Sequence, residues 1–146
     1  MTYQSNALNT YRETRIKTAS QGSLVLMLYD EAIKQIGNAI ELLGNGKVKV
    51  ENIEKINECI LKVQEIITEL MASLDLEKGG EIATNLLSIY SFFNRQLLQA
   101  NIKKDAQLLA DVKNMLQELR GAWQEVVNST ASAEKSEVQP GIDIAR

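Results

Sequence analysis

Histidine is absent from the 146 residues, and much familiar chemistry goes with it. No histidine-based triad can be assembled, and no phosphorelay histidine exists. A ferritin-like di-iron site is excluded as well, because it needs a Glu-x-x-His pair on each of two helices. Cys59 is the one cysteine, so neither an internal disulfide nor a cysteine-rich zinc site can form. No apolar run approaches the ~20 residues of a membrane span. The opening Met1-Thr2-Tyr3-Gln4-Ser5-Asn6 lacks the basic patch and apolar stretch of a secretory signal. A soluble, cytoplasmic protein with no direct membrane insertion is therefore expected. Basic residues are also in short supply, 16 against 19 acidic ones for a formal charge of −3. That balance argues against a nucleic-acid partner, which calls for a basic face.

Proline and glycine are sparse. The single proline, Pro140, sits near the C-terminus, and the glycines cluster at Gly44-Asn45-Gly46 and Gly79-Gly80, which read as turns. Between these breaks the apolar residues recur at helical spacing. The first helix runs from Ser23 to about Leu43, with Val25, Leu28, Tyr29, Ala32, Ile36, Ala39 and Leu43 inward. The second runs from Glu51 to Leu74, with Ile53, Ile56, Ile60, Val63, Ile67, Leu70 and Leu74 inward. Its alternating steps of three and four are the seam of helices packed near 20°. A third helix, Glu81 to Ile102, turns in Ile82, Leu86, Ile89, Phe93, Leu97 and Ala100. A fourth, Asp105 to Val127, turns in Leu108, Val112, Met115, Leu119, Trp123 and Val126.

Four amphipathic helices of matched length joined by short turns favour an all-α fold, an antiparallel up-down-up-down four-helix bundle. The bundle is expected over residues 20–129. Residues 1–19, polar with isolated Tyr3, Leu8, Tyr11 and Ile16, read as an N-terminal arm. Residues 130–146, mostly small and polar, with Ser, Ala, Glu, Lys and Gln before Pro140-Gly141, read as a mobile C-terminal tail. The last connection contains no glycine and must be tight, with Asp105 as its N-cap.

The informative residues are the apolar ones left over once the core is assigned. On the first helix, Leu26, Ile33 and Ile40 recur every seventh position, about 80–100° from the centre of the inner face. On the third, Phe92 and Phe93 are adjacent and cannot both point inward, while Leu87 and Leu98 share one flank. These residues either broaden the core faces or line a groove that accepts another amphipathic helix. Other candidates are plainer. Glu77 and Glu81 bracket the Gly79-Gly80 turn, whose glycines suit positive φ at the end of the second helix; Glu81 then favours the positive end of the third. Cys59 reads as a core filler, Lys103-Lys104 is too small for a phosphate site, and Trp123 is a core aromatic whose indole N–H needs a partner. No catalytic, metal or cofactor site emerges, and a non-enzyme is expected.

The run Leu24-Val25-Leu26-Met27-Leu28-Tyr29-Asp30, preceded by Thr18-Ala19-Ser20, resembles the first-helix signature of the flagellin-specific export chaperones, the FliS family. The stretch from Leu74 to Leu86, continued by Tyr90, resembles the family's turn between its second and third helices. Arg95-Gln96-Leu97-Leu98-Gln99-Ala100-Asn101 with Asp105 and Ala106 is similar to its third-helix end, and Trp123 falls at its fourth-helix tryptophan. The resemblance spans residues 3–126. Two departures stand out. Where the family often has proline, this chain has Gln21 and Gly22, so Ser20 or Ser23 must cap the first helix; and Glu31 replaces the glycine that commonly follows the Tyr-Asp pair.

The resemblance implies a cytoplasmic type III export chaperone. Such a protein binds the disordered C-terminal segment of flagellin, blocks premature polymerisation and docks on the cytoplasmic domain of the export gate. The anti-sigma factor is a further partner that the family implies. On this reading Leu26, Ile33, Leu87 and Leu98 are the candidate flagellin contacts. The resemblance also implies that the arm covers the empty client groove and that Leu8 and Tyr11 serve gate docking. The alternative is a structural bundle that self-associates through the same apolar surfaces.

Overall fold

The computed structural model describes residues 21–143, with side chains through Ser129. It contains α1 (Gln21–Leu43), α2 (Val50–Ala72), α3 (Gly80–Lys103) and α4 (Ala106–Asp143), with no strand among the described residues. Every expected helix is present. Their ends fall within two residues of the expected ones except at the last, where α4 continues well past Val127. The segment read as a tail thus has helical backbone as far as Asp143. The arm, with Leu8, Tyr11 and the capping position Ser20, lies outside the described residues.

α1 packs against α2 and α4, and α3 closes the square by packing against the same two helices. Neighbours run antiparallel. Along the α1–α4 contact, Gly22 meets Val127, Asp30 pairs with Arg120, and Gly37 faces Lys113. The core holds Tyr29, Ala32, Ile36 and Ala39 from α1, Ile56, Ile60, Val63 and Ile67 from α2, Tyr90, Phe93, Leu97 and Ala100 from α3, and Leu109, Val112 and Leu116 from α4.

Several inward assignments shift. Ile53, Ile82 and Val126 are exposed, Ile82 by 72%. Ile53 and Ile82 occupy the first turns of α2 and α3, and Val126 lies near the end of the α1–α4 contact, where neighbouring helices run out. On α4 the buried line passes through Leu109 and Leu116, leaving Leu108, Met115 and Leu119 half-buried on its flank. Because Leu108-Leu109 and Met115-Leu116 are adjacent apolar pairs, periodicity alone cannot choose between them. Ala83 and Tyr90 join the buried face of α3, and Ile66 that of α2.

The turns fix the helix order. α1 stops at Gly44, whose φ of 66° lets its N–H reach the Ile40 carbonyl at 3.2 Å, the left-handed termination glycine favours. α2 ends differently from expectation, at Ser73 in right-handed geometry with φ −82°. Positive φ appears instead at Gly80 (57°), the first residue of α3, with Glu81 in that helix's first turn as expected. Between them Asp75 organises the chain, its Oδ1 accepting from the Glu77 and Lys78 N–H groups and its carbonyl from the Gly79 N–H at 2.7 Å. The glycine-free connection consists of Lys104 and Asp105. Lys104 adopts left-handed geometry, and its Nζ donates to Asn57 Oδ1 at 2.7 Å and to the Asn101 carbonyl at 2.6 Å. Those bonds fasten the end of α3 to α2 and offset the cost of a side chain in that conformation. Asp105 is the expected N-cap, accepting from the Gln107 N–H at 2.9 Å and the Leu108 N–H at 3.3 Å.

Candidate functional site: the open flanks of the third helix

The stripe of α1 that the core left over is accounted for by α4. Leu26, Ile33 and Ile40 lie on the same face as Gly22, Asp30 and Gly37, spaced by three or four residues, and the partners of those three are all on α4. Leu26 is only 8% exposed, and Ile33 and Ile40 pack half-buried against the core. Leu26 is thus covered at this seam, while Ile33 and Ile40 keep part of their surface exposed beside it. Glu31 fits without strain beside this seam, its carboxylate accepting from Gln35 Nε2 at 2.7 Å one turn on. Gln35 is thereby satisfied in its buried position.

α3 is clasped far less. Five of its residues are buried, against nine on α1, and apolar side chains remain on both flanks. Toward α2, Leu87 is half-buried and Leu98 is 50% exposed. Both share the face of Asn94, which contacts Thr68 and Met71 of α2. Toward α4, Phe92 is 38% exposed over a groove of about 400 Å³ lined by Ile89, Phe93, Met115 and Leu119. The adjacent Phe92-Phe93 pair was the sequence signal for this groove. Phe93 points into the core and Phe92 outward, with ring centroids 6.3 Å apart.

At the end of the bundle where α1 begins, a second cavity of about 650 Å³ opens among Leu24, Leu28, Leu74, Leu86, Tyr90 and Trp123. Tyr90, on its lining, belongs to a polar pair buried in the core. Tyr29 and Tyr90 share a 2.6 Å hydroxyl–hydroxyl bond. Burial raises the pKa of both phenols, that of Tyr29 by a wide margin, and the bond from Tyr29 opposes the rise at Tyr90. The phenols stay protonated and structural at neutral pH. The periodic pattern signalled no cavity here, because it is lined by residues from all four helices.

Burial raises the Cys59 pKa, which disfavours the nucleophilic thiolate. Lys104, its pKa lowered by burial, is committed to Asn57 and Asn101. Asp30 and Arg120 form a surface ion pair. No group of three or more Cys, Asp or Glu could hold a metal ion among the described residues, and no described helix is long and apolar enough to cross a membrane. What the arrangement offers is apolar concavity suited to another polypeptide.

The chain is similar to several known proteins. The family model described as flagellar protein FliS matches residues 4–130. The chain is 36% identical over 129 residues to the flagellar secretion chaperone FliS of Salmonella typhimurium, covering 85% of this chain and 92% of that one. It is 33% identical over 124 residues to the Bacillus subtilis protein of the same name, covering 85% and 88%. A Vibrio cholerae relative, also a flagellar secretion chaperone FliS, is 35% identical over 116 residues, covering 78% and 80%.

Proposed function

Since the chain belongs to the FliS family of flagellar secretion chaperones, we propose that it is a cytoplasmic, non-enzymatic export chaperone for flagellin. In this reading it binds the disordered C-terminal segment of flagellin, keeps it from polymerising and delivers it to the cytoplasmic domain of the export gate. The observation that carries the reading is the open character of α3. Phe92 stands over a groove shared with α4, and Leu98 remains half-exposed beside α2. A disordered client that forms amphipathic helices on contact would bury these surfaces, and the area gained offsets the entropy of ordering it. Leu98, with Leu87 at its edge, is the contact retained from the sequence; Phe92 joins it. Leu26 and Ile33 act instead in the α1–α4 seam that holds the scaffold rigid.

The arm has its own part in the proposal. Leu8 and Tyr11 are proposed to serve docking of the loaded chaperone on the gate. The anti-sigma factor is a second partner on the family's precedent. Co-elution tests the core of the reading. The chain should form a one-to-one complex with intact flagellin, none with flagellin lacking its C-terminal segment, and should suppress filament sedimentation. A dimer of this chain that persists unchanged with flagellin present would instead favour a self-associating bundle.

A further inference from the structure

The end cavity of about 650 Å³ is covered on one side by a segment that is lightly held. Of residues 75–89, Ala83 alone is buried. Leu86 and Ile89 pack half-buried against the core, and Leu76 and Ile82 turn outward, 51% and 72% exposed. α3 is seated firmly only from Tyr90 onward. Tyr90 bonds to Tyr29 at 2.6 Å, Phe93, Leu97 and Ala100 are buried, and Lys104 ties the far end to Asn57 of α2. The stretch before Tyr90 borders the cavity instead, with Gly79, Ile82, Ala83 and Leu86 on its lining. Side chains facing an open cavity make fewer packing contacts than side chains seated in a core.

Within itself the same segment is tightly tied. Asp75 Oδ1 accepts from the Glu77 N–H at 3.1 Å and the Lys78 N–H at 3.0 Å, and its carbonyl accepts from the Gly79 N–H. The Gly79 carbonyl in turn accepts from the Ala83 N–H at 3.3 Å. Gly79 and Ala83 lie so close that a Cβ on Gly79 would sit 2.6 Å from that of Ala83. The turn and the start of α3 therefore move together. We propose that residues 75–89 form a lid over the end cavity, opening as one unit between Leu74 on α2 and Tyr90 on α3 while the rest of the bundle keeps its core. Opening gives up the contacts of Ala83, Leu86 and Ile89 and exposes the cavity walls, Trp123 among them. Segments with few buried apolar contacts open in this way well below the free energy of global unfolding. The motion belongs to the free chain and stands apart from flagellin binding.

Native-state hydrogen exchange of the full-length protein, read amide by amide by NMR, tests the lid without any ligand. The amides of Thr84 to Ile89, past the first four N–H groups of α3, are compared with those of Phe93 to Ala100. The first set should share one protection factor, at least about tenfold below that of the second. It should hold that value in low urea, because a lid exposes little surface compared with global unfolding. Ile60→Val, a small truncation in the core of α2 away from the cavity, separates the two openings. It should speed exchange of Phe93 to Ala100 at least about twofold and leave Thr84 to Ile89 unchanged, since an open lid keeps the Ile60 contacts. Protection that climbs residue by residue from Thr84 to Ile89 would overturn the proposal, because that is the fraying of a helix end. Equal protection in the two stretches, or equal acceleration of both by Ile60→Val, would also overturn it by making the segment part of one cooperative bundle.

Discussion

Replacing Tyr29 or Tyr90 by phenylalanine removes one hydroxyl from a 2.6 Å pair and keeps both rings in a core where they are 0% and 1% exposed. Packing is conserved, so the cost is polar. The surviving phenol loses its partner in a buried position, about 1–3 kcal/mol for either single change. For a chain of this size that corresponds to a melting temperature lower by about 2–4 °C per kcal/mol. The double phenylalanine variant leaves no orphaned phenol, so it should cost less than the sum of the singles, the difference being the coupling of the pair. A pH dependence follows from the same geometry. Burial holds both phenols above the ordinary value, so the unfolded chain gives up its phenolic protons first, near pH ~10. The stabilisation is complete below that pH and is lost as pH rises beyond it. Urea denaturation followed by circular dichroism, at neutral pH and across pH 9–11, measures both effects. Strictly additive single costs, or an alkaline loss identical in the double variant, would refute the assignment of these hydroxyls as a coupled buried pair.

Other expected outcomes follow from the turns and flanks. A Cβ added at Gly79 would lie 2.7 Å from the Asp75 carbonyl and 2.6 Å from the Ala83 Cβ, so Gly79→Val should cost about 1–3 kcal/mol in denaturation midpoint. Gly80→Val should cost about 1–2 kcal/mol through its positive φ. Unchanged stability with lost flagellin binding would make this turn a recognition site instead. Leu98→Asp should weaken flagellin binding at least tenfold by calorimetry with an unchanged melting temperature. Ile33→Asp should lower stability by about 2 kcal/mol or more, because it places a charge in the α1–α4 seam; equal melting temperatures would return Ile33 to the free surface. Leu8→Ala with Tyr11→Ala should spare flagellin binding and weaken capture of the complex by the gate's cytoplasmic domain, and normal capture would remove the arm from docking.

The helices and their order were legible because each step depends on local signals. Apolar spacing marks the helices, Gly44 ends α1, and Asp105 caps α4. Side-chain destinations at the flanks were less legible. Leu26 and Leu98 look alike in a sequence, each an extra leucine beside an apolar face. One is covered and the other is not, because α4 lies along α1 through Gly22 and Gly37 while α3 meets its neighbours over a narrower face. That distinction belongs to tertiary packing, which periodicity does not encode. Phe92 was partly readable, since adjacent phenylalanines cannot share an interior. The end cavity was not, because it is formed by residues from all four helices, brought together only when the bundle closes.

The central claim is that an open, apolar bundle surface orders a disordered flagellin segment. Calorimetric titration of the full-length chain with the isolated C-terminal segment of flagellin, repeated at several temperatures, addresses it directly. The expected result is one-to-one binding with a large negative heat-capacity change, the mark of apolar burial coupled to folding of the segment. Absence of binding, or binding with a heat-capacity change near zero, would contradict it.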